Sequence, residues 1–132
     1  MSGPAAIVGH GIDLASIARV GEVLERHGSH FIERCFTAAE RDWAEAGGRQ
    51  RTQRYAGRFA AKEAAAKALG TGVAGGIRWT DLEILADERG APRLSLHAAA
   101  AERAAGLGVG GTFCSITHAG DQVMASVILT RG

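Results

Sequence analysis

Arg54, Arg58 and Lys62 follow one another at intervals of four, and Glu63 and Lys67 repeat that interval one position over. On a helix, residues four apart share a face, so three cations stack where like charges repel. A carboxylate and an ammonium run beside them. A basic stripe next to a lone carboxylate on a rigid element is what a metal-chelated polyphosphate ligand needs. A Glu-to-Lys pair on a solvated face, worth roughly a few tenths of a kcal/mol, fits the same positions. The helix alone does not choose between the two. Asp13 is the second carboxylate of interest. It follows Gly9-His10-Gly11-Ile12, where a strand gives way to a helix. Aspartate at such a boundary is also a common helix cap.

The elements that must hold these residues are legible in outline. An alanine-rich stretch over 50–69 ends on Gly70-Thr71-Gly72. Alanine is the best helix former and glycine past the last turn the usual stop. Before it, Ile7-Val8 and Ile12 predict a strand over 6–13, in which Gly9 and Gly11 permit close approach by another backbone or a ligand. Ile17, Val20, Val23 and Leu24 recur at helical spacing and predict a helix over 15–27. A short helix (29–35) and another (37–46) complete the first half. Strands near 79–87 and 91–96, a helix (97–106), and strands over 111–118 and 122–130 make up the second. Strands adjacent in sequence favour antiparallel pairs, so the class is α+β and not doubly wound α/β. The expected domain is mainly antiparallel sheet with one long packed helix.

At 132 residues the chain is long enough for one core, and a single domain over 1–132 is expected. Its net charge of +1 argues against a nucleic-acid binder. Cys35 and Cys114 are far apart, without zinc-ligand spacing, and read as reduced packing residues. No apolar run approaches membrane-spanning length and no basic leader precedes one, which predicts a cytoplasmic protein.

Taken together, G-x-G-x-D with Arg19 six residues on, and F-x-x-K-E-A-x-x-K-A over Phe59–Ala68, resemble the holo-acyl-carrier-protein synthases. These are the small, trimeric type of 4′-phosphopantetheinyl transferase. Phe36-Thr37-Ala38-Ala39-Glu40 is similar to the family's F-T-x-x-E segment. Gly90-Ala91-Pro92 matches its G-x-P turn, and Ser115-Ile116-Thr117-His118 its S-[IL]-[ST]-H strand. The motifs come in the family's order along nearly the whole chain. His10 departs from the small or apolar residue usual between the two glycines. Ala119–Gln122 lacks the aromatic often seen before the last strand.

The resemblance implies transfer of 4′-phosphopantetheine from coenzyme A to a serine of an apo acyl carrier protein, with adenosine 3′,5′-bisphosphate as the other product. Such phosphoryl transfers rest on charge neutralisation and in-line positioning. It implies magnesium held by Asp13 and Glu63, with Lys67 against the pyrophosphate. Glu63 is then the base, directly or through a metal-bound water. Arg58, Lys62, Gly90, Pro92, Thr117 and His118 become coenzyme A contacts. Arg19 and Arg26 on the first helix would meet the acidic helix of the carrier protein. A homotrimer with coenzyme A in the clefts between subunits is implied as well, and Val127, on the alternating last strand, is expected on the face that supports assembly. Two other readings compete: a non-catalytic coenzyme A or nucleotide-binding module that kept the fold, and a structural oligomer of alanine-rich helices. The first would be favoured by loss of a carboxylate, and both are present. The second leaves the stacked cations unexplained. Which carrier protein is served, and how loosely acyl-coenzyme A is accepted, is not written in these residues.

Overall fold

The computed structural model describes residues 6–132. Strand β1 (Ile7–Ser16) lies antiparallel to β5 (Gln122–Arg131), which pairs on its other edge with β4 (Val109–Ala119), giving the order β1-β5-β4. Helix α3 (Arg51–Leu69) lies across this sheet. Its contact face is Ala60, Ala61, Ala64, Ala65 and Ala68, all buried, against Ala125, Val127 and Leu129 of β5. Small side chains on the helix let the sheet come close, and β1 comes closest. A methyl group at Gly9 would collide with the carbonyl oxygen of Ala68, and one at Gly11 with that of Ala64. The glycines therefore admit a backbone, not a ligand. Gly70 ends α3 in the left-handed conformation at φ 80°.

Helix α1 (Ile17–Cys35) corrects the expectation of two helices over 15–27 and 29–35. It is one element that bends at His27 (φ −135°) and resumes. It also begins later than predicted, because Ala15 and Ser16 still pair with Val123 and Gln122 in the sheet. Ser16 caps it, accepting from Arg19 N–H at 3.2 Å. Asp121, in the β4–β5 turn, takes two further bonds: Ser16 Oγ donates to it at 2.6 Å and Ala18 N–H at 2.9 Å. Helix α2 (Ala38–Glu45) starts on a capping box made by Thr37 and Glu40.

The strand expected near 79–87 begins as a single 3-10 turn at Trp79–Asp81, with Asp81 accepting from Arg78 N–H, and only then continues as β2 (Leu82–Ala86). β2 pairs with β3 (Pro92–Leu96) in a separate two-stranded sheet. Helix α4 (Ala98–Leu107) leads back to β4. A second core cluster joins α1, α2 and α3 through Phe36 and Tyr55, with Phe31 and Phe59 edge-on around them. Among the described residues both cysteines are free, and no helix is long and apolar enough to cross a membrane.

Val127 is fully buried under α3, which overturns its placement on an assembly face. The alternation of β5 puts Val123, Ala125, Val127 and Leu129 inward. The opposite face of the sheet carries Ile12, Leu14, Phe113 and Met124, all exposed.

Candidate active site

The register of β1 decides where Asp13 goes. It pairs with Ala125, an inward position, so its side chain turns toward α3 while Ile12 and Leu14 turn away. There Lys67 Nζ donates to Asp13 Oδ1 at 2.9 Å and to the Ile12 carbonyl at 3.1 Å. Glu63, one turn earlier on α3, is half-buried beside the same carboxylate. Burial, then a hydrogen bond with Asp13, then the Asp13 charge push the Glu63 carboxyl up to about 7, with Lys67 opposing. The Lys67 ammonium is held above its ordinary value, first by its bond to Asp13. Asp13 thus meets an acid and a lysine some fifty residues further along the sequence.

Glu63 also lines a cavity of about 310 Å³ with Leu14, Arg19, Val20, Phe31 and Phe59. The walls are mostly apolar, and Arg19 stands exposed at this cavity. Arg26 is exposed further along α1 and is not among the residues that line this cavity.

A second cavity, of about 210 Å³, collects Arg58 and His118 with Arg54. Arg58 is buried and its guanidinium lies 3.8 Å over the ring of Trp43; Arg54 lies 4.5 Å over the same ring. Burial lowers the pKa of Arg58, but a guanidinium stays charged in proteins.

Lys62 does not belong to this basic surface. Its side chain is fully buried and paired with Glu40 at 2.7 Å. Its remaining donors reach the carbonyls of Trp79 at 3.0 Å and Leu82 at 2.6 Å. Glu40 in turn accepts from Thr37 N–H and Ile84 N–H. With three donors and three bonds, Lys62 has none left for a phosphate. The stack of Arg54, Arg58 and Lys62 is therefore split between an aromatic ring and an interior carboxylate. Thr117 points to the sheet face opposite His118, following the alternation of β4, and is not in the cavity. Gly90 and Pro92 sit at the β2–β3 hairpin, Gly90 supplying φ 84° for its turn. Within one chain they line neither cavity.

Glu40, Trp43 and Asp121 were not singled out by the motifs as positioning groups. Glu40 carried a signal, the Thr-x-x-Glu spacing of a capping box, but nothing local to it names Lys62 as its partner. Trp43 and Asp121 act through residues far along the chain, which no spacing reveals.

In this fold a strand-borne aspartate meets a helix-borne Glu-Ala-x-x-Lys. The chain belongs to the 4′-phosphopantetheinyl transferase superfamily, whose family model matches residues 9–125. Within that superfamily it groups with enzymes, the holo-[acyl-carrier-protein] synthases. The protein of that name from Solibacter usitatus is 46% identical over 123 residues, covering 93% of this chain and 98% of the relative. The crystal structure of the holo-[acyl-carrier-protein] synthase from Neisseria meningitidis superposes with a TM-score of 0.86 at 31% identity, covering 94% of this chain and 98% of that one. The synthase from Bacillus anthracis, solved in complex with coenzyme A (3′,5′-ADP), gives a TM-score of 0.79 at 35% identity over 96% and 98% of the two chains.

Proposed function

We propose that this enzyme transfers the 4′-phosphopantetheine group of coenzyme A to a serine of an apo acyl carrier protein, with magnesium as its metal. The observation that carries this reading is the meeting of Asp13 and Glu63 next to Lys67. Two adjacent carboxylates, one of them driven toward its neutral form by burial and then by the other, form a donor set short of positive charge. Magnesium suits such a pair, since it takes one or two carboxylates and completes its shell with water and phosphate oxygens. Asp13 and Glu63 would hold it. When bound it supplies Lewis acidity toward the leaving phosphate.

The serine hydroxyl attacks the phosphorus that bears pantetheine. The bond from that phosphorus to the bridging oxygen breaks, and adenosine 3′,5′-bisphosphate leaves with the electron pair. The serine proton passes to Glu63, directly or through an intervening water, in general base catalysis. Lys67 offsets negative charge at the pyrophosphate, and Arg58 and His118 contact other phosphate or nucleotide groups from the second cavity. The relative from Bacillus anthracis, solved with coenzyme A, supports the choice of donor. Arg19, at the mouth of the cavity that contains Glu63, is the contact for an acidic carrier protein, with Arg26 as a secondary one.

The reading extends to a single cytoplasmic domain assembled as a homotrimer. The exposed Ile12, Leu14, Phe113 and Met124 support assembly, because one apolar sheet face left to water is a liability for a monomer. Gly90, Pro92 and Thr117, remote from the carboxylates within one chain, would then reach coenzyme A bound by a neighbour. The test is mass spectrometry of an apo carrier protein incubated with coenzyme A, magnesium and the enzyme. The expected result is a mass gain of one phosphopantetheine on serine. No gain with carrier proteins of either fatty-acid or polyketide type would overturn the assignment.

A further inference from the structure

We propose that Trp43 is a positioning residue for the coenzyme A site, presenting the guanidinium of Arg58 to a phosphate group of the ligand; this rests on the function proposed above. Arg58 is 6% exposed, yet among the described residues it makes no hydrogen bond and no ion pair, and its Nε is buried without a partner. A largely buried cation with no acid to pair it is costly, so a fold that keeps one needs a reason to. What it has instead of an anion is the ring of Trp43, 3.8 Å away.

Trp43 is itself pinned. Arg54 stacks on the same ring at 4.5 Å and donates from Nη1 to the Trp43 carbonyl at 2.7 Å. The ring is thereby fixed to α3 at one position and used to orient a second arginine one turn later. The distinction between an aromatic and an acidic partner matters here. A carboxylate would orient Arg58 but also neutralise it, and an incoming phosphate would have to displace it. The face of an indole attracts a guanidinium through its quadrupole and leaves the charge and the N–H donors of its two terminal nitrogens without a competing acceptor.

The cavity agrees with this. Its lining includes Trp43, Gln53, Arg54, Arg58, Ile116 and His118, and no lining residue is acidic. Its volume of about 210 Å³ has room for several waters, each filling about 30 Å³ in the liquid, or for a phosphate group in their place. Guanidinium forks match phosphate oxygens in geometry as well as charge. Coenzyme A offers two sources of that chemistry, the 3′-phosphate of its ribose and the pyrophosphate.

Calorimetry with adenosine 3′,5′-bisphosphate and with adenosine 5′-monophosphate, on wild type, Trp43→Leu, Trp43→Phe and Arg58→Leu, tests the inference. Trp43→Leu is expected to weaken the bisphosphate about tenfold or more, in line with a desolvated cation–π contact. Trp43→Phe should keep most of the affinity, since a face remains. In turnover, the KM for coenzyme A should rise while that for the carrier protein stays. A loss confined to the bisphosphate identifies the 3′-phosphate as the group bound, and an equal loss for the monophosphate identifies the 5′ side; either supports the role. Arg58→Leu should lose binding while its urea midpoint holds or rises, because the charge it removes is unpaired. Wild-type bisphosphate affinity in a folded Trp43→Leu protein would overturn the inference, as would strong destabilisation by Arg58→Leu with binding unchanged. If the wild type binds neither nucleotide, the coenzyme A assignment itself has failed.

Discussion

Lys62 Nζ and Glu40 Oε1 lie 2.7 Å apart, and neither side chain exposes any surface. The pair fastens α3 to α2 and, through the bonds to Leu82 and Ile84, to the start of β2. Removing one partner strands the other charge in the interior. Lys62→Met is therefore expected to cost about 3–5 kcal/mol of stability. Adding Glu40→Leu should recover only part of it, since Thr37 N–H and Ile84 N–H lose their acceptor. Urea midpoints of the two variants against wild type measure this. A Lys62→Met protein of normal stability with a raised KM for coenzyme A would restore the lysine to the ligand site.

Asp13→Ala and Glu63→Ala should each abolish transfer while leaving the far-ultraviolet circular dichroism spectrum unchanged. Both side chains lie at the edge of the core, outside its packed alanines. Turnover near that of wild type at limiting magnesium, in either variant, would remove that residue from the metal site.

Arg19→Glu should raise the KM for the carrier protein strongly and leave that for coenzyme A nearly unchanged, because charge reversal acts on the encounter with an acidic surface. Arg26→Glu should do the same more weakly, as Arg26 lies away from the cavity that holds Glu63. Added salt should mimic both effects in the wild type by screening. Equal losses for both ligands would place Arg19 in the nucleotide pocket.

Phe113→Asp and Val127→Asp separate assembly from folding. Phe113 is 61% exposed on the outward face and Val127 is fully buried on the inward one. The first change should yield a folded monomer of low activity in sedimentation experiments. The second should prevent folding, because it buries an unpaired charge. A wild type that sediments as an active monomer would exclude the trimer.

Burial pushes the Cys35 and Cys114 thiols up to about 11 from the usual 9.0. Below 9 the thiols are neutral in folded and unfolded chains alike. Between about 9 and 11 only the unfolded chain ionises them, so stability should fall as pH rises through that window. Cys35→Ala with Cys114→Ala should flatten the urea midpoint across the same range; an unchanged slope would assign the loss to other groups.

Asp13, Glu63 and Lys67 come together in the fold, and each sits on an element whose period is visible: a strand ending in a helix start, and one alanine-rich helix. Arg58 and Lys62 show the limit of that reading. Both lie on the same stripe, and helical geometry alone makes them equivalent. What separates them is what packs across from α3, an indole ring for one and a carboxylate for the other. Those partners come from α2, and long-range packing of that kind leaves no spacing in the sequence. The bend at His27 likewise joins into one helix what reads in the sequence as two, over 15–27 and 29–35.

The contact of Gly9 and Gly11 with the carbonyls of Ala68 and Ala64 carries a consequence for how this enzyme can be altered. Asp13 and Arg19 ride on the same continuous run, β1 into α1, and at Gly9 and Gly11 that run rests on α3 main chain to main chain. Any residue bulkier than glycine at position 9 or 11 would push β1 off α3 and shift Asp13 and Arg19, the proposed metal ligand and carrier contact, together. Retuning the enzyme for a different carrier protein is thus confined to exchanging side chains on the surface of α1. Its placement is not an independent variable.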